Sequence, residues 1–337
     1  MRPFTYTRAH DADEAVREAL GENVKFVAGG TNLLDLMKED VERPVRLVDI
    51  NRLPYDRIED TRNGGLRLGA LVRNSDAAYD ARVERHYPLL SSALLAGASA
   101  QLRNAATIGG NLMQRTRCFY FYDVGTVCNK RQPGTACGAI GGLNRNHAIL
   151  GASEHCIATH PSDMCVALAA LDATVRVMSR EGERLIPMGE FHRLPGDTPE
   201  RDTNLQQGEL ITGVDLPADH FNQNYSYLKL RDRLSFAFAL VSVAAALKLE
   251  DGKIADARIA LGGVAHKPWR DQDVEGDLRG VEPSRGAFEA AAKDLLREAK
   301  GQGDNDFKIA LAEKAIVRTL EQAAAGTPQS QTDKRIS

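Results

Sequence analysis

Four cysteines, Cys118, Cys128, Cys137 and Cys156, are separated by nine, eight and eighteen residues. A fifth, Cys165, completes a set confined to 48 consecutive positions, with none elsewhere in the chain. Core cysteines would be expected to scatter; a concentrated set points to a metal, a redox centre or an oxidised loop. The spacing is not the paired CxxC of a zinc ribbon, nor a ferredoxin run. Ligands need not be close in sequence, however, and four thiolates suffice for a 4Fe–4S cluster. Two disulfides or a zinc site would use the same residues. Arg115, Arg117, Lys130 and Arg131 flank this set, where they would offset the negative charge of a thiolate-ligated cluster. Cys165 differs: it lies in DMCVALAAL, a helical apolar pattern, and reads as a core residue.

Two glycine-bearing turns carry a second kind of chemistry. VAGGTNLL (27–34) runs from a strand signal through Gly29 and Gly30 into a short helix beyond Thr31. Paired glycines let the backbone turn tightly and approach a ligand closely. The amides beyond them, with the helix start, face an anion. Thr31 and Asn32 could cap that helix or meet a phosphate oxygen. NAATIGGNL (104–112) repeats the theme with Ala106, Thr107, Gly109, Gly110 and Asn111. Two such turns suit a diphosphate better than one phosphate. This is neither a GxGxxG fingerprint nor a Walker loop. In ATHPSD (158–163), Ser162 or Asp163 could cap a helix, and the carboxylate could accept hydrogen bonds from ribityl or ribose hydroxyls. His160 reads as a packing histidine. In YLKLRDRLSFAFAL (227–240), Lys229 points away from the face of Leu228 and Leu230. An ammonium there could hold the anionic pole of a reduced flavin ring.

The elements that must position these groups are α+β throughout. The first segment reads strand–turn–helix–strand: 25–28, 29–32, 33–38 and 45–50, with a break at 51–56. A second opens with a strand at 66–71 and a helical run at 87–100. An irregular stretch from Thr116 to Cys156 then looks inserted, and long irregular segments in compact domains are usually functional. Regular structure resumes at 164–171, a hairpin at 174–187 and a strand at 210–216. A third unit begins near Asn224, with strands expected at 225–230, 236–249 and 253–261. Helices at 288–300 and 307–324 follow. The polar tail from Gly326 reads as frayed. The chain of 337 residues is long enough for two or three domains.

Composition excludes several classes. Lys and Arg total 43 against 46 Asp and Glu, a formal charge of −3, so nothing draws the chain to nucleic acid or anionic lipid. The longest near-apolar stretch, Phe236 to Leu247, is twelve residues, short of the about 20 that span a bilayer. No membrane insertion is expected. The N-terminus MRPFTYTRAHDADEAV has no apolar signal core.

Taken together, VAGGTNLL, NAATIGGNL, HPSD, ELITGVDLP and the lysine of YLKLRDR, in that order, resemble the FAD-binding medium subunits of the molybdenum hydroxylases. That family includes xanthine dehydrogenase, aldehyde oxidoreductases and the CO dehydrogenase flavoprotein. The resemblance covers about residues 1–325. TRCFYFYD, CNKRQPGTAC and LGASEHCIATHPSDM look most like the branch of bacterial periplasmic aldehyde oxidoreductases.

The resemblance implies a PCMH-type, vanillyl-alcohol-oxidase-like FAD-binding fold. Its expected parts are a first subdomain (1–52), a second (53–218) carrying a 4Fe–4S insertion at about 114–157, a C-terminal α+β domain of the CO dehydrogenase flavoprotein type (224–325) and a flexible tail (326–337). It implies that Phe26, Val27, Ala28, Gly29, Gly30, Thr31, Asn32 and Leu33 wrap the FAD diphosphate. Ala106, Thr107, Gly109, Gly110 and Asn111 would contact it from the other side. Asp163 would bind FAD hydroxyls, and Leu210, Ile211 and Lys229 would meet the isoalloxazine. Cys118, Cys128, Cys137 and Cys156 match the ligands of the extra cluster, and Cys165 matches none. No residue is expected to act as a catalytic acid or base.

The implied activity is electron transfer within a heterotrimer. A large partner would oxidise an aldehyde to a carboxylic acid at a molybdenum cofactor. A small partner would pass electrons through 2Fe–2S clusters to this FAD, and an external acceptor would collect them. Alternatives are the FAD subunit of a xanthine dehydrogenase-like or 4-hydroxybenzoyl-CoA reductase-like enzyme, or a stand-alone flavin oxidase. The aromatic–Gly pattern that contacts NAD in xanthine dehydrogenases is not evident, so NAD use is not expected. Periplasmic export carried by a partner's signal is implied, with a cytoplasmic location as the alternative.

Overall fold

The computed structural model describes residues 1–218 and 221–333. Three units follow one another. The first comprises β1 (Thr5–Arg8), α1 (Ala12–Glu18), β2 (Val24–Val27), α2 (Leu33–Lys38) and β3 (Arg46–Asp49). Its strands form a parallel sheet ordered β1-β3-β2. Parallel neighbours need a crossover, and α2 supplies it between β2 and β3. The β2–α2 turn thereby opens at the C-terminal edge of the sheet, where ligands settle in α/β layers. The sequence reading began only at β2. Thr5 and Tyr6 are exposed, so β1 carries no apolar alternation and is held by its ladder to β3.

The second unit holds β4 (Ile58–Asp60), β5 (Leu66–Gly69), α3 (Asn74–Tyr79), α4 (Ala81–His86), α5 (Pro88–Ala96), α6 (Ala100–Ala105), α7 (Ile108–Leu112), α8 (Phe119–Tyr122), α9 (Asp163–Ala170), β6 (Thr174–Ser179), β7 (Gly182–Pro187), α10 (Met188–Phe191) and β8 (Leu210–Leu216). Its antiparallel sheet is ordered β4-β5-β8-β6-β7. Leu68, Val214 and Val175 on the sheet share one core with Leu89 and Leu90 of α5 and with α9, whose eight residues are all buried. The stretch 104–112, read as a glycine-bearing turn, is the junction of α6 and α7; Ser99 and Thr107 cap these two helices.

In the third unit, β9 (Asn224–Leu230), β10 (Val241–Glu250) and β11 (Lys253–Gly262) form an antiparallel sheet ordered β11-β10-β9. α11 (Gln272–Asp277), α12 (Arg285–Leu295) and α13 (Phe307–Ala324) complete it. β10 explains its own unbroken apolar run. Ala244 and Ala246 point into the core of the second unit, while Val243, Ala245 and Leu247 point into the core beneath α13. A strand buried on both faces shows no alternation. It starts later than expected: 236–240 is a loop, with Phe236 at a φ of 50°.

The tail is the other departure. Gln329 N donates to Ser226 Oγ at 3.1 Å and Gln331 Nε2 to Tyr227 O at 3.0 Å. The unpaired edge of β9 thus holds residues expected to fray; 334–337 of that expected tail lie outside the described residues. No helix among the described residues is long and apolar enough to cross a membrane.

Candidate functional site

All three units contribute to one cavity of about 600 Å³. The first unit offers Thr31, Asn32 and Asp35, the second Ala106, Asn111, Ser162 and Asp163, the third Lys229, Phe238 and Gly263. A volume of this order suits a cofactor-sized ligand. The two glycine turns meet directly at its edge. Asn32 Nδ2 donates to Gly110 O at 3.1 Å, and Arg73 Nη1 to Ala105 O at 2.5 Å. At Gly29, a Cβ would stand 1.9 Å from Ala105 O, so the turns can approach only because that atom is missing.

Asn32 is the N-cap of α2 but makes no capping bond. Its side chain is spent on Gly110 and on accepting from Arg117 Nη2 at 2.9 Å, which leaves α2 without a side-chain cap, while Leu34 N is met by Gly30 O at 3.1 Å. Thr107 does cap, accepting from Gly110 N at 3.2 Å.

The expected contacts divide. Thr31, Asn32, Ala106, Asn111, Asp163 and Lys229 line the cavity. Phe26, Val27, Ala28 and Leu33 pack beneath the first turn. Thr107, Gly109 and Gly110 shape the second turn, and Gly109 lies against Ala70. Leu210 and Ile211 begin β8, both buried in the hydrophobic cores, and neither forms part of the cavity wall. Alternation along β8 sends Leu210 into one core and Ile211 into another.

Lys229 lies inside the molecule. Its ammonium is buried and 2.7 Å from Asp163 Oδ2, and Tyr227 Oη donates to Asp163 Oδ1 at 2.8 Å. Tyr227 and Lys229 share one face of β9, two residues apart, so one carboxylate can take both. Each oxygen retains a second lone pair for a ligand hydroxyl. Lys229→Ala should lower the flavin midpoint potential, because a cation beside the ring favours its anionic reduced form. An unchanged potential in a spectroelectrochemical titration would remove that role. The same change leaves Asp163 buried without its cation, a stability cost of about 3–5 kcal/mol.

The four cysteines expected to act together do converge. Cys118, Cys128, Cys137 and Cys156 line a second, smaller cavity, with Lys130, His147 and His155 in its wall. None is in a disulfide. Cys128 and Cys137 face each other across an antiparallel bridge, and Cys156 pairs with Ser153. Cys156 shares a hydrogen bond with Cys137, which lowers the Cys137 thiol to about 6 and raises that of Cys156. Burial pushes Cys118 up to about 11.

A tetrahedral zinc site with bonds of about 2.3 Å brings its sulfurs to about 3.8 Å of one another. Among the described residues, no three of these four thiols come within 4.8 Å of one another. The tighter group is His160, Cys165 and His192, in which the two imidazoles stack at 4.1 Å and His192 Nε2 is 2.8 Å from Leu112 O. Burial holds both histidines neutral. His192 went unread because nothing near it in sequence signals the contact.

The basic residues beside the cysteines also act as struts. Lys130 Nζ reaches Asp202 Oδ1 at 2.5 Å and Pro199 O at 2.6 Å. Arg115 joins Asp202 and Glu42, each at 2.7 Å. Arg117 pairs with Asp35 at 2.9 Å, and Arg131 donates to the carbonyls of Tyr120, Phe121 and Thr126. Only Lys130 also acts on a thiol, favouring the ionised form of Cys156. Burial raises the carboxyl pKa of Asp202, but Arg115 and Lys130 together hold it well below the carboxylate range.

A three-sided cavity at the meeting of two glycine turns suits an extended, cofactor-sized ligand. Residues 2–219 match the FAD binding domain in molybdopterin dehydrogenase, and residues 225–323 match the CO dehydrogenase flavoprotein C-terminal domain. The chain therefore belongs to the FAD-binding subunits of the molybdenum hydroxylases, an oxidoreductase family.

Within it, the chain is 51% identical over 327 residues to the aldehyde oxidoreductase FAD-binding subunit PaoB of Escherichia coli, covering 96% of this chain and 99% of that one. It is 30% identical to the glyceraldehyde dehydrogenase medium chain of Sulfolobus acidocaldarius, covering 82% and 81%. Carbon monoxide dehydrogenase from Hydrogenophaga pseudoflava superposes with a TM-score of 0.75 at 26% identity, covering 97% of this chain and 99% of that chain.

Proposed function

We propose that this chain is the electron-transfer FAD subunit of a molybdenum-containing aldehyde oxidoreductase, and that it carries a 4Fe–4S cluster on Cys118, Cys128, Cys137 and Cys156. The observation that carries the reading is the meeting of four unpaired thiols in a cavity beside the flavin cavity. It is supported by 51% identity to an aldehyde oxidoreductase subunit. FAD supplies the coupling of one-electron delivery to two-electron release. The chain's residues bind and position it: the turns at 29–32 and 106–111 hold the diphosphate, Asp163 meets its hydroxyls, and Lys229 presents a fixed positive charge to the ring. No side chain is asked to move a proton.

A large subunit with the molybdenum cofactor and a small subunit with 2Fe–2S clusters complete the heterotrimer, and an external acceptor takes the electrons. Export to the periplasm would ride on a partner's signal. The test uses the purified complex. Iron, acid-labile sulfide and flavin are quantified, and aldehydes and purines are compared as anaerobic reductants of the flavin. Aldehydes should bleach the flavin band and purines should not. Bleaching by xanthine alone would overturn the aldehyde assignment.

A further inference from the structure

The two cavities share a wall. Thr116, Cys118 and His147 line both, whereas Cys128, Cys137 and Cys156 line only the smaller one. Cys118 is thus the thiol ligand in the flavin wall, and His147 is the side chain that addresses its sulfur. Nε2 of His147 lies 3.1 Å from Cys118 Sγ. Its Nδ1 is buried and has no hydrogen-bond partner. With its proton on Nε2, the ring offers a donor that a thiolate can accept.

The backbone that carries the ring is anchored. His147 O accepts from Asn305 Nδ2 at 3.1 Å and from Lys308 Nζ at 2.9 Å. Both donors are fully buried, at or just before the start of α13. An element far away in sequence therefore holds the main chain from which the imidazole reaches the sulfur.

We propose that His147 is a positioning residue for the iron–sulfur site: its Nε2–H donates to the Cys118 sulfur on the side facing the flavin and raises the cluster's reduction potential. This rests on the proposed cluster and deepens it. Reduction adds negative charge that the sulfurs share, and a donor to one of them stabilises the reduced form more than the oxidised form.

The experiment compares the wild-type complex with His147→Phe and His147→Gln by potentiometric titration of the cluster's electron paramagnetic resonance signal. Iron is measured on the same samples. His147→Phe should keep its iron and titrate at a lower potential, and His147→Gln, which restores an amide donor, should return toward wild type. An unchanged potential in His147→Phe overturns the proposal. Equal shifts in both variants, or loss of iron from both, also overturn it, because the ring would then serve by shape alone. A wild-type complex without iron would instead defeat the cluster assignment itself.

Discussion

Replacing Cys137 with serine should empty the iron–sulfur site. Iron and acid-labile sulfide should fall from about four per chain to near zero. The effect should spread through residues 119–143, which have little regular structure or apolar packing of their own. Their regular structure is one four-residue helix, and their clustered apolar side chains are Phe121 and Cys128, packed with Leu36, whereas Ile149 and Leu150 further on join the core of the third unit. Where burial is this sparse, metal binding supplies much of the folding free energy. Limited proteolysis should therefore cut the Cys137→Ser chain within this segment while the wild type resists. Cys165→Ala is the control. That thiol is fully buried in α9 and should leave iron content untouched. Retention of all the iron by Cys137→Ser, or zinc in place of iron in the wild type, would refute the assignment.

Gly29→Ala should weaken flavin binding. The added carbon would sit 1.9 Å from Ala105 O, 2.8 Å from Ala105 C and 3.2 Å from Arg73 Nη1. Two of these are backbone atoms, so the turns must part. Parting them breaks the bond from Asn32 to Gly110 and moves both halves of the diphosphate grip. Overpacking strain of about 1–3 kcal/mol would by itself weaken binding about tenfold or more, at 1.4 kcal/mol per decade. The ratio of flavin to protein absorbance in the purified complex measures this directly. Gly276→Ala, where an added carbon meets nothing within 4 Å, should keep its flavin. A fully flavinated Gly29→Ala would show that the turns do not need their close approach.

What the sequence revealed and what it hid follow a physical line. The glycine turns were legible because paired glycines between apolar elements are a local signal. α13 was legible from Phe307 to Ala324 because its periodicity is strong. The four cysteines were legible as a set, since clustering is itself a local statistic. Lys229 was not legible as a buried cation. Its partner Asp163 is 66 residues away, and a lone lysine in a strand looks solvated. Arg115 and Lys130 were not legible as struts because Asp202, which draws them both, lies beyond the cysteine segment. Leu210 and Ile211 came only from family position, because their own residue types signal nothing beyond the packing they show. β1 was missed because its register with β3, rather than any apolar pattern, makes it a strand.

The cavity's three walls have a consequence for how the protein withstands heat. A ligand touching all three units is a tie whose strength depends on its concentration. By mass action, saturation at a thousand times the dissociation constant adds about 4 kcal/mol to unfolding. Cofactor supply in the growing cell therefore sets how durable the purified enzyme will be. Preparations starved of riboflavin should melt earlier and regain their transition when the dinucleotide is added back.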